Sequence, residues 1–213
     1  MAQYRDRFAA GRALAAMFAR SLDAARLHDP VVLGLPRGGV PVAIEVASAL
    51  DAPLDILVVR KLGSPRNPEL ALGAIGEGDT RVLNHDVIAA ERVSPQALAR
   101  VEESERAELD RRAHLLRAGR PAVPLSGRTA VIVDDGMATG ASAAVASACA
   151  RAQGATGVIV AVPVASPESI RLLADSADRV ICPFVPAILG GVGAAFDDFH
   201  QLTDSEVVDL LEG

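Results

Sequence analysis

The sequence predicts an α/β protein: a five-stranded parallel sheet core flanked by helices, with an inserted hairpin and helix and a small C-terminal hood. Three observations carry that prediction. Short, continuous, β-branched apolar runs recur along the chain, as in strands buried on both faces. Most are followed by Gly- or Pro-bearing punctuation and then by a stretch of helical length, the alternation that builds a parallel sheet. At 213 residues, 50% of them hydrophobic and 23% charged, the chain is long enough to bury one sizeable core.

Tyr4, Phe8, Leu14, Phe18 and Leu22 keep near-helical spacing, which predicts an amphipathic helix to about Leu27 with its aromatics in the core. Val31 to Leu35 reads as a strand, Pro36-Arg37-Gly38-Gly39 as a tight turn, and Val40 to Leu50 as a helix. A second strand runs from Leu54 to Lys61. Gly63 to Pro68 is a loop by composition, and Leu70 to Leu83 a Gly-punctuated hairpin turning at Gly76-Glu77-Gly78-Asp79. Ser94-Pro95 caps and starts a helix to about Ala118, on which Glu102/Arg106 and Glu108/Arg112 read as i,i+4 surface pairs. Thr129 to Val133 is the next strand, followed by an Ala-rich helix to about Gln153. Strands at Gly157 to Val164 and Arg179 to Cys182 flank a helix starting at Pro167. The organisation is a single domain, 1–213, with residues 64–120 as an insertion and 183–213 as hood and tail.

The stretch from residue 129 to residue 142, Thr-Ala-Val-Ile-Val-Asp-Asp-Gly-Met-Ala-Thr-Gly-Ala-Ser, is the most informative in the chain. A buried strand ends in two carboxylates, Asp134 and Asp135. Gly136 permits a sharp turn, and Thr139-Gly140-Ala141-Ser142 opens a helix. Ligands of open α/β sheets sit at the carboxyl ends of strands, and helix N-termini offer N–H groups and partial positive charge to phosphate. An anion cradle one turn away from a hydroxyl-binding acid pair matches a sugar phosphate.

This stretch resembles the signature loop of the type I phosphoribosyltransferases, which bind 5-phosphoribosyl 1-diphosphate. The resemblance extends over nearly the whole chain and points to a bacterial subgroup. It includes Tyr4-Arg5-Asp6-Arg7 with Ala10-Gly11, Leu35 to Ala43, Asn67 to Ile75, and Asp197 to Asp204. It implies that Asp134 and Asp135 hold the ribose hydroxyls, that Ala138, Thr139, Gly140, Ala141 and Ser142 form the loop around the 5-phosphate, and that Gly136 and Met137 belong to the substrate-binding residues. Arg37, Gly38 and Gly39 would hold the diphosphate, with a non-proline cis peptide expected at Arg37–Gly38. Lys61, the one lysine among 21 basic residues, is expected near the diphosphate at a strand end. Mg²⁺ is the implied cofactor, with Asp134 as its protein carboxylate. Residues 64 to about 80 are expected to form a mobile lid.

Family membership does not identify the acceptor. Purine-specific members resembling the hypoxanthine–guanine enzymes carry an acid before Thr-Gly, where this chain has Ala138; alanine argues weakly against a 6-oxopurine and is neutral on uracil. Phe196 could stack on an acceptor or belong to the core. Two functions remain: transfer of phosphoribosyl to an unidentified base or other small nucleophile, or sensing of 5-phosphoribosyl 1-diphosphate or a nucleotide. The net charge of −6 gives no electrostatic footprint for nucleic acid, which favours the enzyme. No apolar run reaches the length of a membrane span and the start lacks a signal-peptide pattern. Cys149 and Cys182 suggest no disulfide framework, so a reduced, cytoplasmic setting is expected. The four histidines are scattered, supporting neither a zinc site nor a triad. No fused hydrolase-like domain fits in this length, and a homodimer is compatible with the reading.

Overall fold

The computed structural model describes residues 2–21, 27–68, 70–78 and 80–213. Five strands form a parallel sheet: β1 (Pro30–Gly34), β2 (Leu54–Ile56), β6 (Thr129–Val133), β7 (Gly157–Ala161) and β8 (Arg179–Ile181), in the order β2-β1-β6-β7-β8. All five residues of β6 are buried, as expected for the centre of a sheet covered on both faces. From β1 the chain winds outward to β2; from β6 it winds the other way to β7 and β8. The carboxyl ends of β1 and β6 therefore flank the topological switch point, where open α/β sheets bind ligands.

Side-chain alternation divides the strands between two cores. Val32, Val131, Val133 and Ile159 face α1 (Arg7–Ser21) and α2 (Gly39–Leu50), meeting Leu14, Phe18, Val42 and Val46. Val31, Leu33, Ile132 and Val160 face α5 (Ala141–Ala152), meeting Val145, Ala146 and Cys149. The predicted N-terminal helix starts only at Arg7. Tyr4 lies ahead of it, donating through its hydroxyl to the Pro163 carbonyl at 2.9 Å. Residues 22–26, including Leu22 of that prediction, lie outside the described residues.

The strand read as Leu54 to Lys61 is two strands in two sheets. β2 ends at Ile56, and β3 (Val59–Gly63) pairs antiparallel with β4 (Ala71–Gly76), which pairs with β5 (Arg81–Leu83). The apolar run is continuous because the chain crosses between cores: Leu57 belongs to the α5 side, whereas Ile56 and Val58 belong to a third cluster with Leu62, Leu72, Ile75, Leu109 and Leu116. Periodicity alone does not reveal such a crossing. The antiparallel unit thus begins at Val59, ahead of residue 64.

Asn84 caps α3 (His85–Ala90), a short helix not anticipated from the sequence; Ser94 caps α4 (Pro95–Arg117) as expected. The surface pairs on α4 differ from expectation. Glu102 bonds Arg81 and Glu108 bonds Arg111, at i,i+3. Arg106 instead donates to the Gly76 carbonyl and Arg112 turns toward Asp204. At the end of α4 the buried Arg117 bonds Asp55 at 2.8 Å and Glu77 at 2.6 Å, tying helix, β2 and hairpin turn together. Finally α7 (Asp204–Glu212) starts with a Thr203–Glu206 capping box and adds Val207 to the third cluster. Among the described residues, no helix is long and apolar enough to cross a membrane.

Candidate functional site

The turn after β1 and the turn after β6 meet edge to edge. A Cβ on Gly38 would overlap Asp135 Oδ2, and one on Gly39 would come within 2.9 Å of Asp134 Cα. Glycine here permits a close approach of backbone to the acid pair. The non-proline cis peptide lies at Pro36–Arg37, one bond before the predicted Arg37–Gly38.

The loop 136–140 is held from behind. Met137 N–H donates to Val164 O (2.9 Å), Ser166 Oγ donates to Ala138 O (2.8 Å), and the buried Ser169 Oγ donates to Met137 O (3.0 Å). With carbonyls tied to the 164–169 segment, the loop presents its opposite side to a small cavity of about 90 Å³ lined by Asp134, Gly136 to Ala143 and Val162. Gly140 adopts φ 80°, the left-handed conformation that glycine takes without cost, as it enters α5. Ala138, Thr139, Ala141 and Ser142 are exposed there. The start of α5 supplies N–H groups and dipole to an anion.

The two carboxylates occupy different surroundings. Asp134 Oδ1 accepts the Asp135 backbone N–H at 2.9 Å and also lines a second cavity of about 100 Å³ with Leu35, Pro36, Val58, Val59, Arg112 and Ser142. Asp135 Oδ2 takes the Arg7 Nε–H at 2.8 Å; the Arg7 and Asp135 side chains are only 9% and 14% exposed. A second Arg7 nitrogen donates to His200 O at 2.9 Å, and the guanidinium sits 3.9 Å from the Phe199 ring centroid. Burial raises the pKa of both carboxyl groups. At Asp134 the neighbouring Asp135 charge adds to the rise, while at Asp135 the Arg7 bond works against it.

A family model for the phosphoribosyl transferase domain matches residues 2–197. The chain belongs to the phosphoribosyl transferase domain family. Two Mycobacterium tuberculosis relatives, from strains CDC 1551 and H37Rv, are provisionally named phosphoribosyl transferases. Each is 50% identical over 212 residues, covering 100% of this chain and 47% of the relative. The chain thus spans about half the length of these curated relatives. A Thermus thermophilus crystal structure is 45% identical, with TM-score 0.84, covering 98% of this chain and 97% of that one. A hypoxanthine phosphoribosyltransferase from Staphylococcus aureus shares the fold at 8% identity and TM-score 0.50, over 88% and 78% of the two chains.

In this phosphoribosyl transferase domain the residues singled out from sequence fall into three groups. Asp134 and the 136–142 loop share one cavity wall. Arg37 and Gly38 instead line a 390 Å³ cavity with Arg7, Asp135, Phe199, Gln201 and Leu202. Lys61 is exposed on β3 rather than at the end of a parallel strand. It joins Thr139, Ala141 and Ser142 around a 720 Å³ cavity between the antiparallel sheet and α5. Of the two readings left open for Phe196, an acceptor-stacking ring or a core residue, the burial matches the second. Phe196 is 6% exposed, with ring centroids 5.7 Å from Tyr4 and 5.0 Å from Phe199, so it is a core residue that supports the Phe199–Arg7 contact. Sequence reasoning missed Arg7, Arg112, Ser166 and Ser169. Arg7 lay inside a segment of family resemblance but had no local partner to reveal its role. The serines were readable only as helix punctuation.

Proposed function

We propose that this protein is a phosphoribosyltransferase that moves the 5-phosphoribosyl group from 5-phosphoribosyl 1-diphosphate to a nitrogen of a small acceptor, releasing diphosphate. One observation carries the reading: a desolvated carboxylate, Asp134, shares a cavity wall with a glycine-rich loop opening α5, at the topological switch point. That arrangement suits a phosphorylated sugar and little else of comparable size.

In this reading the backbone N–H groups of 139–142 hold the 5-phosphate, and Asp134 and Asp135 accept hydrogen bonds from the ribose hydroxyls. Gly38 and Gly39 let the diphosphate lie close to the main chain, with Arg37 and Lys61 neutralising it. The C1–oxygen bond to diphosphate breaks as the acceptor nitrogen bonds C1. Diphosphate leaves with the bonding electron pair, and the nitrogen's proton passes to solvent. The protein positions the partners and stabilises charge at a cation-like C1. Ala138 supplies no proton-transfer group beside the acceptor, so an acceptor nitrogen that is nucleophilic without one suits the site. The cavity offers a single carboxylate, Asp134, because Asp135 is held by Arg7. That donor set fits Mg²⁺ carried on substrate oxygens and water, where it would neutralise the leaving diphosphate. The setting is cytoplasmic nucleotide metabolism, a placement supported by family resemblance and by the two free cysteines.

The test is the double variant Asp134→Asn/Asp135→Asn, assayed for diphosphate release with Mg²⁺ against a panel of bases. Loss of about 10²-fold or more is expected with the fold retained. Unchanged turnover on a confirmed substrate would sink the assignment. Tight binding of 5-phosphoribosyl 1-diphosphate by the wild type, without release for any acceptor, would favour a sensor instead.

A further inference from the structure

Arg112 projects from the turn of α4 that also buries Leu109, Ala113 and Leu116. It reaches the cavity walled by Asp134, Pro36 and Ser142. Its Nε–H is buried and has no hydrogen-bond partner among the described residues. A buried, unsatisfied donor on a charged group is rare and calls for a physical account. Among the described residues Arg112 has one ionic contact, from NH2 to Asp204 Oδ1 at 3.4 Å, and Arg37 NH1 approaches the same oxygen at 3.6 Å.

These contacts differ from the structural ion pairs of the same protein. Arg7–Asp135 and Arg117–Asp55 are both 2.8 Å, and Arg117–Glu77 is 2.6 Å, the range of charge-assisted bonds. Asp204 instead sits loosely between two guanidinium groups, offering one negative charge to two positive ones. The three side chains are partly open, at 21% for Arg112, 31% for Asp204 and 32% for Arg37. A ligand carrying several adjacent anionic oxygens would satisfy the open nitrogens of both guanidinium groups at once. A single carboxylate from the side does not.

We propose that Arg112 and Arg37 form a two-arginine clamp for the diphosphate, and that Asp204 occupies the clamp in the unliganded protein and is displaced on binding. The inference rests on the functional reading above, and it adds a binding residue from the inserted helix and an internal competitor from the start of α7. The clamp also connects the ligand to α4 and α7, both of which pack into the third core.

The test is calorimetric titration of inorganic diphosphate with Mg²⁺, and separately of ribose 5-phosphate, into wild type, Arg112→Gln, Arg112→Lys and Asp204→Asn. Removing a charge-assisted fork should weaken diphosphate binding by about 10- to 100-fold, leaving ribose 5-phosphate binding where it was. Arg112→Lys should recover part of the loss, because charge returns without the fork. Asp204→Asn should bind diphosphate more tightly than wild type, which a merely structural role for these residues would not produce. It also keeps the Thr203–Glu206 cap intact and remains informative where Arg112→Gln folds poorly. Wild-type affinity in Arg112→Gln, or weaker diphosphate binding in Asp204→Asn, would overturn the clamp while leaving the site reading standing. Wild type that binds ribose 5-phosphate but not diphosphate would do the same. Failure of wild type to bind either ligand, or 5-phosphoribosyl 1-diphosphate itself, would overturn both.

Discussion

Replacing Arg7 by alanine leaves Asp135 as a buried carboxylate with no cation on it. The Arg7–Asp135 pair is 2.8 Å long and both side chains are nearly sealed from solvent, at 9% and 14% exposure. Breaking such a pair from one side typically costs about 3–5 kcal/mol. The contact over Phe199 and the bond to His200 O are lost with it, so the upper half of that range is expected. For a chain of this size each kcal/mol shifts Tm by about 2–4 °C, so a fall of roughly 10–20 °C follows at neutral pH. The deficit should depend on pH in a definite direction. Burial already raises Asp135 and Arg7 is the main group that opposes it; without Arg7 its pKa rises further above the unfolded value. A carboxyl group with a raised folded pKa takes up protons on folding, so the variant regains stability as pH falls toward the unfolded carboxylate range. Melting curves of wild type, Arg7→Ala, Asp135→Asn and the double variant between about pH 5 and 8 decide this. Asp135→Asn should rescue much of the Arg7→Ala loss. Additivity of the two single changes within about 0.5 kcal/mol, or a pH-independent deficit, would refute the argument that Arg7 acts by neutralising Asp135.

Asp134→Asn should raise the melting temperature at neutral pH while damaging substrate binding, since Asp134 is desolvated and faces the Asp135 charge. With its folded pKa above the unfolded one, wild type should gain stability on mild acidification down to the ordinary carboxylate range, and the variant should lose that slope; an identical slope in both would remove Asp134 as its source. The segment 64–79 should become more protected from amide hydrogen exchange when 5-phosphoribosyl 1-diphosphate and Mg²⁺ are added, if it closes as a lid. Unchanged exchange at saturating ligand would leave it a plain structural hairpin, in keeping with the burial of Ser64, Leu72 and Ile75.

What was legible in the sequence was local. The five parallel strands, the acid pair at the end of Thr129–Val133 and the loop opening the next helix each announce themselves within about a dozen residues, because strand period, glycine turn and helix start are short-range signals. What was not legible joins residues far apart. Arg7 reaches Asp135 across 128 positions, and Arg112 meets Asp204 across 92; an arginine's partner is set by tertiary packing, and i,i+4 spacing on α4 offered a plausible local one. The change of sheet at Leu57 was hidden for the opposite reason, since an unbroken apolar run carries no mark of which core it enters. Phe196 shows the same ambiguity: an aromatic near a site can face ligand or core, and Tyr4 and Phe199 decide for the core.

The charge balance of the two carboxylates follows from this long-range wiring. Two adjacent aspartates in a water-poor turn would repel one another and draw a shared proton. Arg7 opposes that conflict: it is bonded to Asp135 and its charge also lowers the pKa of Asp134 against the effect of burial. The neutralising arm comes from the N-terminal segment, whose position is set by Gln3 and Tyr4 N–H bonds to Ala195 O and by the Asp197 N–H bond to Tyr4 O. The turns after β1 and β6 therefore have their charge balance tied to the N-terminal segment and to residues 195–200. Changes in residues 3–7 or 195–200 should alter the acidity of Asp134 without touching the phosphate loop.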